Sequence, residues 1–374
     1  MAALAPVRAA LGGLILSTCV ALVVAVAAAQ QGRLPDQLDD AAFWQLVLDL
    51  SEPDGFFADE NYVSNELGYE RVMQRLEEAA TRDAVYVGVG PEQNFAYLGA
   101  LRPKMAFIID IRRQNLIQHL MYKALFELSD DRPDFLQLLF SRRRPPGLDA
   151  NTSAEALFQA YATAPPEQPL FDATFARILE VLTERHRFAL MADDRAALRK
   201  VFNAFFSGGP QVMYVFRGSQ ELHPTYLQLM TARDNAGRNW SYLGTSQSYQ
   251  YIREMHRRNL IVPVVGDFAG PKAVRAVGRY VRDHGGAVSV FYVSNVESYL
   301  FRAGTSQRFY DSLQTVPFTG SAIFVRSFFG ATARECASER PTIRTPVTSA
   351  VSTVLDAHRR GDLKTQCDLV TASR

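Results

Sequence analysis

The chain has 374 residues, of which 48% are hydrophobic and 21% are charged, and its formal net charge is +1. This composition is typical of a globular protein with a sizeable core, and the length allows one large domain or two ordinary ones. The near-zero net charge argues against a strongly basic nucleic-acid binder and against an acidic disordered tail.

Residues 1–29 are typical of a secretory signal peptide. Arg8 precedes a long apolar run from Leu11 to Ala29, and that run ends in three alanines. The alternative is an uncleaved N-terminal anchor in the inner membrane, because the run is near the lower length limit for a membrane span. In both cases we expect the rest of the chain to be exported, either periplasmic or secreted.

Residues 33–83 are predicted to form an N-terminal helical segment. An acidic N-cap precedes an amphipathic helix over 41–50, which the run Ser51-Glu52-Pro53-Asp54-Gly55 ends. Residues 56–67 are expected to be a loop before a second helical stretch. Within that loop, Ser64-Asn65-Glu66 either covers a site or caps the helix that follows.

Residues 84–129 are interpreted as the first half of an α/β core. A β-branched run over 84–89 stops at Gly90-Pro91, and a helix over 92–101 follows it. Residues 105–110 form a second apolar strand that ends on an acid, and a long helix begins near Arg112.

Residues 130–255 interrupt this alternation and are predicted to be a mainly helical insertion. One strand is expected inside it, over Val212-Met213-Tyr214-Val215-Phe216. The run Arg142-Arg143-Arg144 is interpreted as a solvated loop, because a single basic run is weak support for a nucleic-acid interface. We therefore expect no nucleic-acid partner.

Residues 256–330 are predicted to be the second half of the core, and residues 331–374 a helical, exposed tail. The elements expected in this half are strands over 260–267, 287–293 and 321–326, and helices over 271–284 and 297–314. In the tail, Cys336 and Cys367 either form one disulfide, as an exported chain allows, or are two unrelated buried thiols. No Cys/His cluster has metal-ligand spacing, so no metal site is expected.

Continuous apolar strands that alternate with helices predict a Rossmann-like, mostly parallel sheet with helices on both faces. The helical insertion lies between its second and third strands. Ligands of such sheets bind outside the carboxyl ends of the strands. The candidate ligand-facing residues at those ends are Gly88, Gly90 and Glu92 after the first strand, Asp110 after the second, Asp267 and Phe268 after the third, and Tyr292, Ser294 and Asn295 after the fourth.

These residue types are typical of a site that binds a nucleoside. A glycine turn lets the backbone approach a ligand, and an acid on the next strand accepts hydrogen bonds from ribose hydroxyls. Asp267 with Phe268 could hold the edge and face of an adenine. On the helix after the second strand, Asn115, Gln118, His119 and Tyr122 share one face. That face is either a polar wall of the cleft, with His119 as an acid or base, or a structural surface that is solvated or hydrogen-bonded.

The order of these features resembles the class I S-adenosylmethionine-dependent methyltransferase fold, over residues 84–128 and 258–328. The resemblance implies that the turn with Gly88 and Gly90 contacts the cofactor and that Asp110 binds its ribose. It also implies that Asp267 reads the adenine and that Tyr292 and Asn295 lie near the transferred methyl group. The chain is also similar to a group of uncharacterised bacterial proteins that share Gly-Val-Gly-Pro-Glu-Gln-Asn and Gly-Asp-Phe-Ala-Gly-Pro-Lys blocks.

The chain departs from the methyltransferase pattern at three places. Tyr86 stands where an acid is usual, Pro91-Glu92 replaces a third glycine, and the fourth strand lacks Asn/Asp-Pro-Pro-Tyr. In addition, S-adenosylmethionine is made in the cytosol, whereas the N-terminus predicts export. Two functions follow: a methyltransferase-like protein that binds S-adenosylmethionine or a related nucleoside, or an exported protein that uses the same cleft for another small molecule or partner.

Overall fold

A computed structural model of the chain describes residues 32–79, 81, 83–216, 223–328, 336 and 346–373. The strands of this part are β1 Val85–Gly88, β2 Met105–Asp110, β3 Ile261–Val265, β4 Val288–Ser294, β5 Phe318–Arg326 and β6 Val347–Ala350. They form one sheet in the order β3-β2-β1-β4-β5-β6, in which only the pairing of β5 with β6 is antiparallel. The predicted Rossmann-like, mostly parallel sheet is confirmed.

The core strands are covered on both faces. Every residue of β1, β2 and β3 is buried, although successive side chains of a strand point to opposite faces. This explains why their sequences are continuous apolar runs. Because β1 pairs with β2 on one side and with β4 on the other, the chain changes direction across the sheet at β1, and a ligand crevice is expected there.

Helices make up most of the remaining structure. Before β3 they are α1 Asp40–Leu50, α2 Met73–Ala79, α3 Gln93–Leu101, α4 Arg113–Leu128, α5 Arg132–Phe140, α6 Ala154–Thr163, α7 Gln168–Glu180, α8 Ala192–Gly208, α9 Tyr226–Thr231 and α10 Ser246–Arg257. After β3 they are α11 Ala273–Asp283, α12 Val296–Arg302, α13 Ser306–Leu313, α14 Val351–Arg359 and α15 Gln366–Ala372. A 3₁₀ turn, Tyr69–Val72, leads into α2, and a π turn, Val181–Arg185, follows α7. The insertion between β2 and β3 is thus mainly helical, as predicted.

The start of α1 follows the sequence signal. The carboxylate of Asp39 accepts a hydrogen bond from the backbone N–H of Ala42 at 2.8 Å, which satisfies one free donor of the first turn. Phe43, Val47 and Leu50 are buried and fix the helix beside β3. As a result, the next residues reach the end of β3, where the backbone N–H of Glu52 donates to the carbonyl of Val265 at 2.8 Å.

The prediction of a strand over Val212–Phe216 is wrong. The segment makes only two isolated bridges, from Met213 to Thr225 and from Val215 to Glu60. The run is β-branched and aromatic, but no neighbouring strand continues the ladder on either side. Pairing with a partner, and not local preference, decides whether such a run becomes a strand.

The predicted exposed, helical tail is wrong on two points. Residues 347–350 form β6 at the edge of the sheet, and the helices beyond it bury Val354, Leu355 and Leu369. The tail is also held by the fully buried Arg326 of β5, whose guanidinium donates to the hydroxyls of Ser349 and Ser373 at 2.5 and 2.8 Å. Without the tail, β5 would be an open edge of the sheet. The apolar residues of the tail are therefore buried where the tail covers this edge.

The interpretation of Arg142-Arg143-Arg144 as a solvated loop is wrong for its first and third residues. Arg142 is buried and donates to the carbonyls of Tyr161 and Ala164, at 2.6 and 2.9 Å, where α6 ends. A cation at this position satisfies free carbonyls and complements the helix dipole. Arg144 pairs with Asp131 and Asp134 at the start of α5.

Residues 1–29, where a signal peptide or an anchor is predicted, lie outside the described residues. No helix among the described residues is long and apolar enough to cross a membrane.

Of the two alternatives for Cys336 and Cys367, the structure has the disulfide, with the Cα atoms 4.8 Å apart. It joins α15 to the segment between β5 and β6, and its ends are 31 residues apart in sequence. Loop entropy gives such a bridge about 3 to 4 kcal/mol of stabilisation.

We expect Cys367→Ser to lower the free energy of unfolding by up to about 3 to 4 kcal/mol, because the unfolded tail regains its freedom. Denaturant unfolding of the oxidised protein measures the loss. Cys336→Ser should lower the free energy of unfolding by the same amount. The double variant should lower it by no more than either single variant does. Equal stability of the wild type with and without a reductant would contradict the prediction.

Candidate functional site

A cavity of about 220 Å³ opens at the carboxyl edge of the sheet, beside the junction of β1 and β4. Four parallel strands deliver residues to its wall: Val89, Gly90 and Pro91 after β1, Asp110 and Ile111 at β2, Gly266, Asp267 and Phe268 after β3, and Tyr292, Ser294 and Asn295 at β4. The remaining wall comes from residues within 56–65 and 296–300 and from Tyr214. The cavity lies where the fold predicts a ligand.

The two glycines of the first turn are needed for different reasons. A Cβ atom at Gly88 would clash with the Oδ1 of Asn94 and with the ring of Tyr86. Gly90 has a φ of +76°, which favours glycine, and a Cβ atom there would meet nothing within 4 Å. Gly88 therefore serves the packing behind the turn, whereas Gly90 faces open space at the cavity.

Asn94 fixes the conformation of this turn. Its side-chain nitrogen lies 2.9 Å from the carbonyl of Val89 and 2.6 Å from that of Pro91. Its Oδ1 accepts a hydrogen bond from the hydroxyl of Tyr86 at 2.8 Å. Because Asn94 is fully buried, these contacts are shielded from water and hold the turn in place before any ligand binds.

Two strand-end carboxylates line the cavity. Asp110 is 6% exposed, and its Oδ1 accepts from the backbone N–H of Arg112 at 3.0 Å. Burial raises the pKa of Asp110, while the hydrogen bond and the charge of Arg112 oppose that rise. Asp267 accepts from the backbone N–H of Ala269 at 2.9 Å. Both carboxylates are thus fixed by backbone donors at the ends of their strands.

The wall of the cavity contains no Lys, Arg or His among the residues that the structure describes. Arg112 is close to Asp110, but its guanidinium donates to the carbonyl of Asp59 at 2.7 Å and lies 3.6 Å from the Glu60 carboxylate. The cavity is therefore acidic. An acidic, partly enclosed cavity attracts cations and disfavours phosphates.

The helix N-terminus beside Asp267 is already occupied by a carboxylate of the chain itself. The Oε1 of Glu52 accepts from the backbone N–H groups of Lys272 and Ala273, at 2.7 and 2.8 Å, and its Oε2 accepts from that of Asp267 at 3.1 Å. These are the donors that would otherwise bind an anionic ligand at the start of α11. The site is therefore not arranged to hold a phosphate group here.

A buried polar network joins the loop 61–68, helix α3 and strand β4 behind the cavity wall. Gln93 is at its centre, and its Nε2 lies 3.0 Å from Glu66 Oε2, 2.8 Å from the hydroxyl of Tyr97 and 3.2 Å from that of Tyr292. The hydroxyl of Ser64 donates to Gln93 Oε1 at 2.5 Å. These contacts hold the loop 61–68 against the cavity wall, so the loop is part of the site.

Seven of the predicted strand-end residues lie around this cavity: Gly90, Asp110, Asp267, Phe268, Tyr292, Ser294 and Asn295. Three other predicted site residues do not line it: Gly88, Glu92 and His119. Glu92 is fully buried at the start of α3, where its Oε1 accepts from the backbone N–H of Ser64 at 3.2 Å. Phe268 also packs into the core, stacked on Phe309 with ring centroids 5.2 Å apart.

His119 lies behind the turn and outside the cavity. It is 1% exposed, and its Nε2 is 2.9 Å from the carbonyl of Gly90. Burial lowers the pKa of His119 to about 4, so the ring is neutral at physiological pH. On the same helix face, Gln118 donates to the carbonyl of Tyr62 at 2.6 Å. Of the two alternatives for this face, the structure therefore has the hydrogen-bonded structural surface.

Sequence reasoning missed Gln93 and Asn94 and left Ser64-Asn65-Glu66 undecided. Ser64 caps no helix, because the 3₁₀ turn begins only at Tyr69, and both Ser64 and Asn65 line the cavity. A usable signal was the run of three polar residues, Glu92-Gln93-Asn94, directly after the glycine turn. All three are buried, which is unusual for polar residues at a helix start.

Aromatic side chains form the outer part of the cavity wall. The ring of Phe57 packs edge-on against Tyr299, with centroids 5.7 Å apart, and Tyr214 donates to Asp59 Oδ2 at 2.7 Å. Phe56, which also lines the cavity, is 81% exposed.

The fold and the site together define a class: an open, doubly wound α/β protein with an acidic cavity at the switch point of its sheet. The chain belongs to a family described as a domain of unknown function (DUF7790), whose model matches residues 61–360. That match includes every strand of the sheet and the residues that line the cavity, apart from Phe56 and Phe57. No curated protein matches the chain. Among the described residues, no group of three or more His, Cys, Asp or Glu side chains is placed to hold a metal ion.

We expect the stability of the protein to depend on pH through Glu92. Burial raises the pKa of Glu92 to about 8, so the folded state favours the protonated carboxyl. The stabilisation of the folded state by the protonated Glu92 is fully present below the ordinary pKa of a glutamate and is lost as the pH rises toward 8. Each unit of pKa difference corresponds to about 1.4 kcal/mol. Between pH 5 and pH 8, the free energy of unfolding of Glu92→Gln should therefore rise by a few kcal/mol relative to that of the wild type.

Chemical denaturation at several pH values measures this difference. Glu78→Gln, at an exposed position on α2, is the matched control and should run parallel to the wild type. If Glu92→Gln also runs parallel to the wild type, Glu92 does not titrate in this range.

Proposed function

We propose that the cavity binds S-adenosylmethionine or a related nucleoside and that the protein is methyltransferase-like. The single observation that carries the proposal is the pair of carboxylates, Asp110 and Asp267, at the ends of neighbouring strands in a cavity without a basic side chain among the described residues. S-adenosylmethionine has no phosphate and carries a positive sulfonium. Its charge therefore complements this cavity, whereas dinucleotides and nucleoside triphosphates do not.

The arrangement gives each residue a distinct part in binding. The carboxylate of Asp110 would accept hydrogen bonds from the ribose hydroxyls, and Asp267 with Phe268 would hold the adenine. The turn at Gly90 would let the backbone approach the ligand closely. When bound, S-adenosylmethionine would supply an electrophilic methyl group, and Tyr292 and Asn295 at the end of β4 would face the acceptor.

A second candidate function is supported by the Cys336–Cys367 disulfide. Disulfides persist in oxidising compartments, which agrees with the predicted signal peptide and disagrees with a cytosolic cofactor. In this alternative, the protein is exported and uses the same acidic cavity for another cationic small molecule, without methyl transfer. The charge argument applies to both candidates, so the ligand and the location distinguish them.

We expect S-adenosylmethionine and S-adenosylhomocysteine to bind the folded protein, and NAD and ATP to bind much more weakly. Asp110→Asn and Asp267→Asn should each weaken binding about tenfold or more, because each removes hydrogen bonds to a charged acceptor. Isothermal titration calorimetry measures the dissociation constants. Asp49→Asn, on the exposed face of α1, is the control and should bind like the wild type.

The absence of heat with both adenosyl compounds, on protein that unfolds cooperatively, would contradict the proposal. The second candidate then predicts binding of a cationic amine that Asp110→Asn weakens. Cell fractionation adds the location, since a periplasmic chain would favour this candidate.

A further inference from the structure

We propose that Ser294 and Glu66 form a proton relay that removes a proton from a hydroxyl or amino group of a second ligand in the cavity. The inference rests on the proposed function, because it assigns the chemical class of the methyl acceptor. It concerns residues that no comparison with known sequences assigns to a role.

The relay begins at the wall of the cavity and ends in the interior. Ser294 lines the cavity, and its hydroxyl donates to Glu66 Oε1 at 2.5 Å. Glu66 itself is 1% exposed. Its other oxygen accepts from Gln93 Nε2 at 3.0 Å. A proton that leaves the cavity through Ser294 therefore has a carboxylate directly behind it.

Tyr292 also lies between Glu66 and the cavity, but it acts differently. Burial raises the pKa of Tyr292 well above its ordinary value, so its hydroxyl keeps its proton. Its oxygen lies 3.2 Å from Gln93 Nε2, within the same network. Tyr292 is therefore a positioning residue for the relay, and Ser294 is the group that can pass a proton on.

The backbone of Ser294 supports a role for its hydroxyl. Ser294 has a φ of +50°, in the left-handed region that favours glycine. Its carbonyl accepts from the backbone N–H of Ser327 at 2.8 Å, which holds the conformation at the end of β4. Glycine would relieve the strain but would remove the contact with Glu66. Strained residues of this kind are concentrated at functional sites.

The partners of Glu66 differ from those of the structural glutamates in the core. Glu297 pairs with Arg326 at 2.8 Å, and Glu127 pairs with Lys123 at 2.8 Å, so each has a cation beside it. Glu66 has only neutral donors among its described hydrogen-bond partners. Burial raises its pKa, and without a cation nothing holds it permanently ionised. A carboxyl in such surroundings can change its protonation state during a reaction, as general acid–base catalysis requires.

The acceptor oxygen or nitrogen forms a bond to the methyl carbon while the carbon–sulfur bond breaks, and the sulfonium becomes a neutral thioether. The proton of the acceptor passes to Ser294 Oγ, and the proton of Ser294 passes to Glu66 Oε1. Because the cavity is acidic, we expect the acceptor to be a neutral or cationic alcohol, phenol or amine and not a carboxylate or a phosphate.

The first test does not depend on turnover. In the full chain labelled with ¹³C at the glutamate side-chain carboxyl, NMR titration gives the pKa of Glu66, whose signal is identified by its loss in Glu66→Gln. Ser294→Ala should raise that pKa further, because it removes a hydrogen bond to the charged form, and should leave the Glu92 signal unchanged. An unchanged Glu66 titration in Ser294→Ala would overturn the relay.

The second test measures the release of S-adenosylhomocysteine against a panel of alcohols, phenols, amines, carboxylates and phosphates. We expect release only with the first three classes, with kcat rising as the pH passes the pKa of Glu66. Glu66→Gln should lower kcat about 100-fold or more and remove this rise, with little change in cofactor affinity. Glu92→Gln, a second buried glutamate that does not line the cavity, should keep the rise.

The two proposals fail in different ways. If calorimetry shows no binding of the adenosyl compounds, the proposed function fails and the relay with it. If they bind but Glu66→Gln keeps both kcat and the pH profile, or if only carboxylates or phosphates react, the relay alone is overturned. Should Glu66→Gln not fold, Ser294→Ala carries the kinetic measurement, and an unchanged kcat and pH profile again overturn the relay.

Discussion

The rest of the site depends on the contacts that the side chain of Asn94 makes with the turn after β1. Its amide nitrogen bonds the carbonyls of that turn, and its oxygen receives the hydroxyl of Tyr86. With the turn fixed, the next residue back, Gln93, points into the interior, where it joins the loop at Glu66 to β4 at Tyr292. One short polar segment thus sets the positions of three separate parts of the cavity wall, and a fully satisfied buried network is rigid enough to do so.

Two sets of carboxylates in the molecule differ in their partners. Glu297 of α12 pairs with Arg326 of β5, and Glu127 pairs with Lys123 one turn earlier in the same helix, so a buried cation neutralises each of these carboxylates. Around the cavity, Asp110 and Asp267 are held by backbone N–H groups, and no cation lines the wall among the described residues. Backbone donors fix a carboxylate without cancelling its charge. This difference is the physical basis for expecting a cationic, phosphate-free ligand.

The predicted export and the proposed methyltransferase-like function are in tension, and the features that suggest them lie in different parts of the chain. The disulfide belongs to the tail, which closes the edge of the sheet next to β5 and is remote in sequence from the turn after β1. A fold of this type is compatible with many chemistries, so the sheet alone does not choose between them. The choice depends on what the acidic cavity binds and where the protein is located.

Local patterning along the chain is sufficient to predict the sheet and the edge at which its polar strand ends meet, because β1 to β4 are apolar runs with polar ends. Asp110 and Asp267 could be placed at one edge for the same reason. Only the tertiary structure decided that Glu66 and Ser294 meet, that His119 lies behind the turn, and that the tail adds a strand to β5. Each of these depends on contacts between residues far apart in sequence, and no local periodicity encodes such contacts.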